Sequence, residues 1–156
     1  MSSFSVNLVK WAEQAGEKAS LVIKDVIVDI TRRVDEKSPV GKREIWAANI
    51  KRAARGLPPL PKGYVGGHFR ANWQLGVDSR PTEEILGTDF AAALSRNENS
   101  VPDDAMGHTY FLTNNCAYAM ELERGHSSVQ APIGIVGITI LEWQGIVRHN
   151  AQRARG

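Results

Sequence analysis

Apolar residues recur at spacings of four and three from the start of the chain: Leu8, Ala12, Ala15, Ala19, Val22, Val26, Ile30 and Val34, with Trp11, Ile23 and Ile27 widening the stripe. That period predicts one amphipathic helix over 5–37. β-Branched residues crowd 22–30, yet Lys24, Asp25 and Asp29 fall where a helix, and not a strand, would expose them. At about 1.5 Å per residue such a helix runs roughly 45 Å, longer than a domain of this size needs for its own core. S-P-V-G at 38–41 stops it, because the residue before a proline is pushed out of the helical region.

The pattern then changes repeatedly. A second short helix is expected over 42–55, with Ile45, Trp46, Asn49 and Ile50 on one side, followed by GLPPLPKGYVGG, whose prolines and glycines allow only a loop. Over 69–77 the alternation of Phe69, Ala71, Trp73, Leu75 and Val77 with Arg70, Asn72, Gln74 and Gly76 predicts a half-buried strand. A turn at DSRPTE, a short strand at 84–88, a helical turn at 89–96 and a polar surface loop at 97–108 follow. TYFLT at 109–113 predicts another strand. Asn114 and Asn115 are expected to cap a helix over 117–123 that turns Tyr118 and Leu122 inward, before a loop at 125–129. Pro132 then suits the first turn of a last helix over 131–151, with Val136, Ile140, Trp143 and Val147 facing the core. Long helices at both ends and short strands between them make this an α+β chain: N- and C-terminal helices packed on a small antiparallel sheet.

At 156 residues, 42% of them hydrophobic, the chain reads as one domain over 1–156. A single cysteine, Cys116, excludes an internal disulfide and has no partner at metal-ligand spacing, so it is expected to be a buried, inert thiol. Neither a standard signal peptide nor a membrane span is expected, since no basic start leads into a long apolar run. His68, His108, His126 and His149 lie in separate segments without H-x-x-x-H spacing. Glu121 and Glu123 read as a solvated or ion-paired helix end rather than a catalytic carboxylate pair, and the glycines form no phosphate-cradling pattern. No catalytic residue, metal or cofactor is expected, and the chain reads as a non-enzyme.

The net charge of +2 is too small to argue for nucleic acid, but its distribution is uneven. Between positions 42 and 70 there are seven Lys or Arg and one acid, Glu44. Lys42, Arg43, Lys51, Arg52, Arg55 and Lys62, with the aromatic Trp46 and Tyr64, are therefore the candidate partner-contact residues. Cations neutralise phosphates and rings stack on bases, so a nucleic-acid-binding segment is the alternative reading of the same residues.

Four short motifs occur in order: S-P-V-G at 38–41, R-A-N-W-Q at 70–74, N-x-x-x-Y-A-x-x-L-E-x-G at 114–125 followed by H-S, and Q-A-P-x-G-I-V at 130–136. Together they resemble the small neck and tail-completion proteins of long-tailed, lambdoid-type bacteriophages. In that family the pattern resembles S-P-V-x-T-G-x-L-R-x-S-W, the proline element leading directly into the strand. Here 42–65 stands between the two, as a basic, proline-rich arm inserted into the scaffold. The resemblance implies a structural virion protein at the head–tail junction, a neck, tail-terminator or tail-completion subunit. It implies a homo-oligomeric ring, hexameric in the family, between the head connector or stopper protein and the tail tube protein, with DNA passing through the lumen. Location in the virion, and in the host cytoplasm during assembly, follows from the same resemblance.

Overall fold

The computed structural model describes residues 3–41, 51–52, 54–57, 65–128 and 130–155. Helix α1 spans Ser3–Lys37, two residues earlier than periodicity alone predicts. It is followed by a helical turn α2 (His68–Ala71), strand β1 (Trp73–Val77), helix α3 (Phe90–Asn99), strand β2 (Tyr110–Asn114), a short helix α4 (Ala119–Glu123) and helix α5 (Val136–Arg153). β1 and β2 pair antiparallel, Trp73 opposite Asn114 and Val77 opposite Tyr110. The fold is α+β, long helices at either end of the chain flanking a small antiparallel sheet. Most of the 42–55 helix and most of the proline-rich loop lie outside the described residues.

α5 lies antiparallel to α1: Lys37 Nζ reaches Glu142 Oε2 at 2.6 Å, and Asn150 Nδ2 reaches Asp29 Oδ2 at 2.7 Å. Polar side chains also fasten α1 elsewhere, Lys24 to Asp103 at 2.7 Å and Arg32 to Glu98 at 2.6 Å. The core gathers Val34, Phe69, Trp73, Cys116, Ala131 and Ile135, with Leu112, Ala119 and Leu122 packed on it. Phe69 meets Trp73 edge to face at 5.9 Å between ring centres. Trp73 donates its indole N–H to Ser38 Oγ at 2.7 Å, and that hydroxyl donates to Val34 O at 2.6 Å. Arg70 closes on the buried Asp35 at 2.6 Å.

Several expectations need correction. The strand expected over 69–77 begins at Trp73, because residues 68–71 make a helical turn entered through Gly67 at φ 115°, a left-handed conformation natural to glycine. Asn72, placed by alternation on the outer face, is wholly buried. Its Nδ2 donates to Ile85 O at 2.6 Å and its Oδ1 accepts from Ile85 N at 3.2 Å, so a side-chain amide replaces a neighbouring strand. For that reason 84–88 is extended but is not a strand. Gln74 and Asn115 hold the same segment by the carbonyl of Glu83, at 2.7 and 3.1 Å.

The polar loop expected at 97–108 begins later, since α3 runs to Asn99 behind an Asp89 cap that accepts from Ala92 N. Asn114 and Asn115 do not cap α4. Asn114 donates to Phe69 O, Asn115 to Pro81 O, and Tyr118, expected inward, is 39% exposed although its ring lies near Phe69.

The last helix starts at Val136, not at 131. Residues 131–134 make a turn, with Gly134 at φ 87°, and Ile135 at the helix entry has no side-chain cap of its own. The cap comes from Glu123 instead. One of its oxygens accepts from Ile135 N at 2.8 Å and Val136 N at 2.9 Å, the other from Gly137 N at 2.8 Å. A Cβ at Gly134 would collide with the Glu123 carbonyl and carboxylate. Glu123 is thus neither a free nor an ion-paired helix end but the N-terminal cap of a different helix.

Candidate functional site

The face of α5 that turns inward is not the one its apolar spacing predicts. Ile135, Thr139, Ile146 and Asn150 are buried, whereas Ile140 is 66%, Leu141 82% and Trp143 49% exposed, with Ile133 and Val136 exposed beside them. The buried polar groups are satisfied locally, Thr139 Oγ1 donating to Ile135 O and Asn150 to Asp29 and Ile146 O. α5 therefore presents an apolar stripe to solvent while turning a threonine and an asparagine to the core. Val136, Ile140 and Trp143 form one wall of an apolar cleft of about 130 Å³, whose other wall includes Ile30 and Val34 of α1 and Leu112 of β2. Single exposed apolar residues are ordinary, whereas here Val136, Ile140 and Trp143 line one cleft together.

α1 supplies a second exposed surface. Its 35 residues are roughly 52 Å long, and among its described side chains the first buried one is Ser20. Before that point Trp11 stands 67% exposed. The described side chains between Lys10 and Ala19 thus stay outside the buried core.

Of the candidate partner-contact residues, Lys42, Arg43, Trp46, Lys62 and Tyr64 lie outside the described residues. Lys51 and Arg55 are exposed and Arg52 is half-buried, on a helical turn closed by Arg55 N to Arg52 O at 3.0 Å. The ends of the arm meet: a Cβ on Gly66 would overlap the backbone of Gly41. Gln130 clasps this base, accepting from Val40 N at 2.7 Å and donating to Val40 O at 3.2 Å. Gly41 and Gly66, the residues on either side of 42–65, thus lie against each other.

Groups that could hold a metal do converge, contrary to what sequence spacing predicts. The donor atoms of His68, Glu84 and Cys116 lie within 4.8 Å of one another. His68 Nε2 is 2.8 Å from Glu84 Oε1, and Nδ1 is 2.9 Å from Gly87 O. The Glu84 hydrogen bond, then that to Gly87, raises the imidazole pKa above its ordinary value. Burial pushes the Cys116 thiol up to about 11; a hydrogen bond with Tyr118 opposes the rise and the Glu84 carboxylate adds to it. Cys116 is thus the buried, protonated thiol expected, though not an isolated one. His108 meets Asp78 at 2.6 Å at the far end of the sheet. A wide cleft of about 670 Å³ between α1 and α5 is lined by charged groups, among them Arg33 and Glu142, which pair at 3.8 Å.

No helix among the described residues is long and apolar enough to cross a membrane. Comparison with protein-family models, curated proteins and solved structures finds no match to this chain.

Proposed function

We propose that the protein is a structural subunit of the head–tail junction of a long-tailed bacteriophage, a neck, tail-terminator or tail-completion protein that assembles into a ring between the head connector and the tail tube and makes or breaks no covalent bond. The observation that carries this reading is the inverted α5: an apolar stripe of Val136, Ile140, Leu141 and Trp143 faces outward while Thr139 and Asn150 face inward. An isolated subunit gains nothing from that arrangement, whereas a subunit completed by its neighbours buries the stripe. The exposed Trp11 on α1 and the segment between Gly41 and Gly66 offer further contacts. A head-to-tail interface closing by rotation yields a ring, and six copies follow from the family resembled.

The experiment is a mass measurement of the purified protein by light scattering, alongside Ile140→Glu and Leu141→Glu, with micrographs of tails assembled with and without it. The expected result is a ring-sized oligomer that both substitutions reduce to folded monomer, and tails that fail to join heads without the protein. A strict monomer that is also missing from particles overturns the reading. Binding of nucleic acid that falls steeply between two salt concentrations would instead favour the basic arm as a phosphate grip.

A further inference from the structure

We propose that His68, Glu84 and Cys116 form a binding site for one divalent cation of the zinc class, tying the start of α2, the 81–87 segment and the end of β2 together. The three side chains come from parts of the chain that no local spacing connects, and their donor atoms nevertheless stand within 4.8 Å of one another. Around a tetrahedral zinc with bonds of about 2.0–2.3 Å, donor atoms stand roughly 3.3–3.7 Å apart. The His68–Glu84 distance of 2.8 Å has to widen by about half an ångström, and the other two pairs stand within 4.8 Å. Rotation of the Glu84 side chain, which lies on the exposed side, covers such a change.

The surroundings resemble the outer sphere of a metal site. A metal-binding imidazole commonly donates its other ring N–H to a carbonyl, which fixes the ring and aims the free nitrogen. The Gly87 carbonyl, 2.9 Å from His68 Nδ1, occupies that place and leaves Nε2 directed at Glu84. A carbonyl only accepts, so Nδ1 carries a hydrogen, and the gap between Nε2 and the carboxylate is a place for a cation, a proton or a metal in its stead. Tyr118 hydrogen-bonds the sulfur, a contact that stabilises a thiolate ligand.

The backbone beneath the three donors is fixed in advance. Asn115, directly before Cys116, donates to the carbonyl of Glu83, directly before Glu84, at 3.1 Å. Cys116 N donates to Asn114 Oδ1 at 3.2 Å, and Gly67, before His68, is buried with no room for a Cβ between Thr88 O and the Phe90 ring. A thiolate with an imidazole selects zinc or cobalt over magnesium or calcium, and three protein donors leave a fourth position for water. A cysteine nucleophile fits less well, because Cys116 is 5% exposed and burial pushes its thiol up to about 11.

The test is titration of the full-length, reduced, metal-free protein with Co²⁺, read by the thiolate-to-cobalt charge-transfer band and the visible bands of tetrahedral cobalt, followed by displacement with Zn²⁺. One cobalt per chain is expected, with a higher Tm in zinc and no change in magnesium. Cys116→Ser should abolish the charge-transfer band, while Glu84→Gln and His68→Gln should each weaken cobalt binding more than tenfold. Glu84 is exposed, so Glu84→Gln is expected to fold normally even where Cys116→Ser does not. No charge-transfer band in the unsubstituted protein overturns the site; so does an affinity unchanged by Glu84→Gln and His68→Gln, which would mean a thiol binding cobalt alone. The stoichiometry is counted per chain, so it is read independently of oligomeric state.

Discussion

Replacing Glu123 by alanine tests the joint on which the C-terminal helix depends. The carboxylate takes the N–H groups of Ile135, Val136 and Gly137 at 2.8, 2.9 and 2.8 Å, three of the four donors that an α-helix leaves unpaired at its start. The cost of Glu123→Ala follows from where those donors lie. Ile135 is 1% exposed, so water does not easily replace its lost acceptor, and an orphaned buried N–H costs about 1–3 kcal/mol. Val136 and Gly137 are exposed and rehydrate, so their share is small. Removing the negative charge from a helix N-terminus adds about 0.3–1 kcal/mol. The sum is about 1–4 kcal/mol, or roughly 3–15 °C in Tm for a chain of this size. Glu123→Gln keeps one acceptor oxygen but turns an NH₂ toward a backbone donor, and about half the loss is expected. Glu121→Ala, exposed on the same short helix, is the control and should stay within about 0.5 kcal/mol of the parent. The assay is urea unfolding at one fixed protein concentration, because the assembly proposed above would make stability concentration-dependent. Glu123→Ala indistinguishable from Glu121→Ala, or Glu123→Gln as stable as the parent, would refute the capping account.

Asn72→Ala should destabilise the protein by about 2–4 kcal/mol, since it strips both partners from the Ile85 backbone, and should speed amide exchange at 83–87 while the β1–β2 amides stay protected; unchanged exchange there would contradict the anchoring role. Glu142 is held below its ordinary value of 4.5 first by the Lys37 hydrogen bond and further by the Lys37 and Arg33 charges, against a smaller opposing effect of burial. A depressed carboxyl stabilises above its unfolded value and loses that contribution as pH falls through the folded one, so Glu142→Gln should be less stable than the parent by about 0.5 kcal/mol at neutral pH, with the gap closing in acid. Urea midpoints of both proteins from neutral pH down to about pH 3 measure it.

What was legible in the sequence is what is decided locally. α1 follows from a long four-three repeat, and β2 from a run of β-formers between polar loops. The start of α5 was not legible, because its cap stands 12 residues away from Ile135 on another helix and no N-cap residue precedes Val136. Its inward face was misread because apolar spacing locates a stripe without saying whether this chain or a neighbour covers it. The site of His68, Glu84 and Cys116 left no signal in spacing, since only the fold brings the three together.

Side-chain amides explain the missing strand. A two-stranded sheet is marginal alone and leaves its edges unpaired. Here Asn97 of α3 lies along the free edge of β1, its Oδ1 accepting from Leu75 N at 3.1 Å and its Nδ2 donating to Trp73 O at 2.7 Å. Asn72 does the same for Ile85 and Gln130 for Val40, so three carboxamides imitate the backbone of strands that are not there. Propensity rules count asparagine as a loop former and miss this use. An edge closed in this way cannot take a strand from a second copy at Trp73 and Leu75. In the ring proposed above, contacts between copies would therefore use side chains, among them the exposed Ile140, Leu141 and Trp143 of α5.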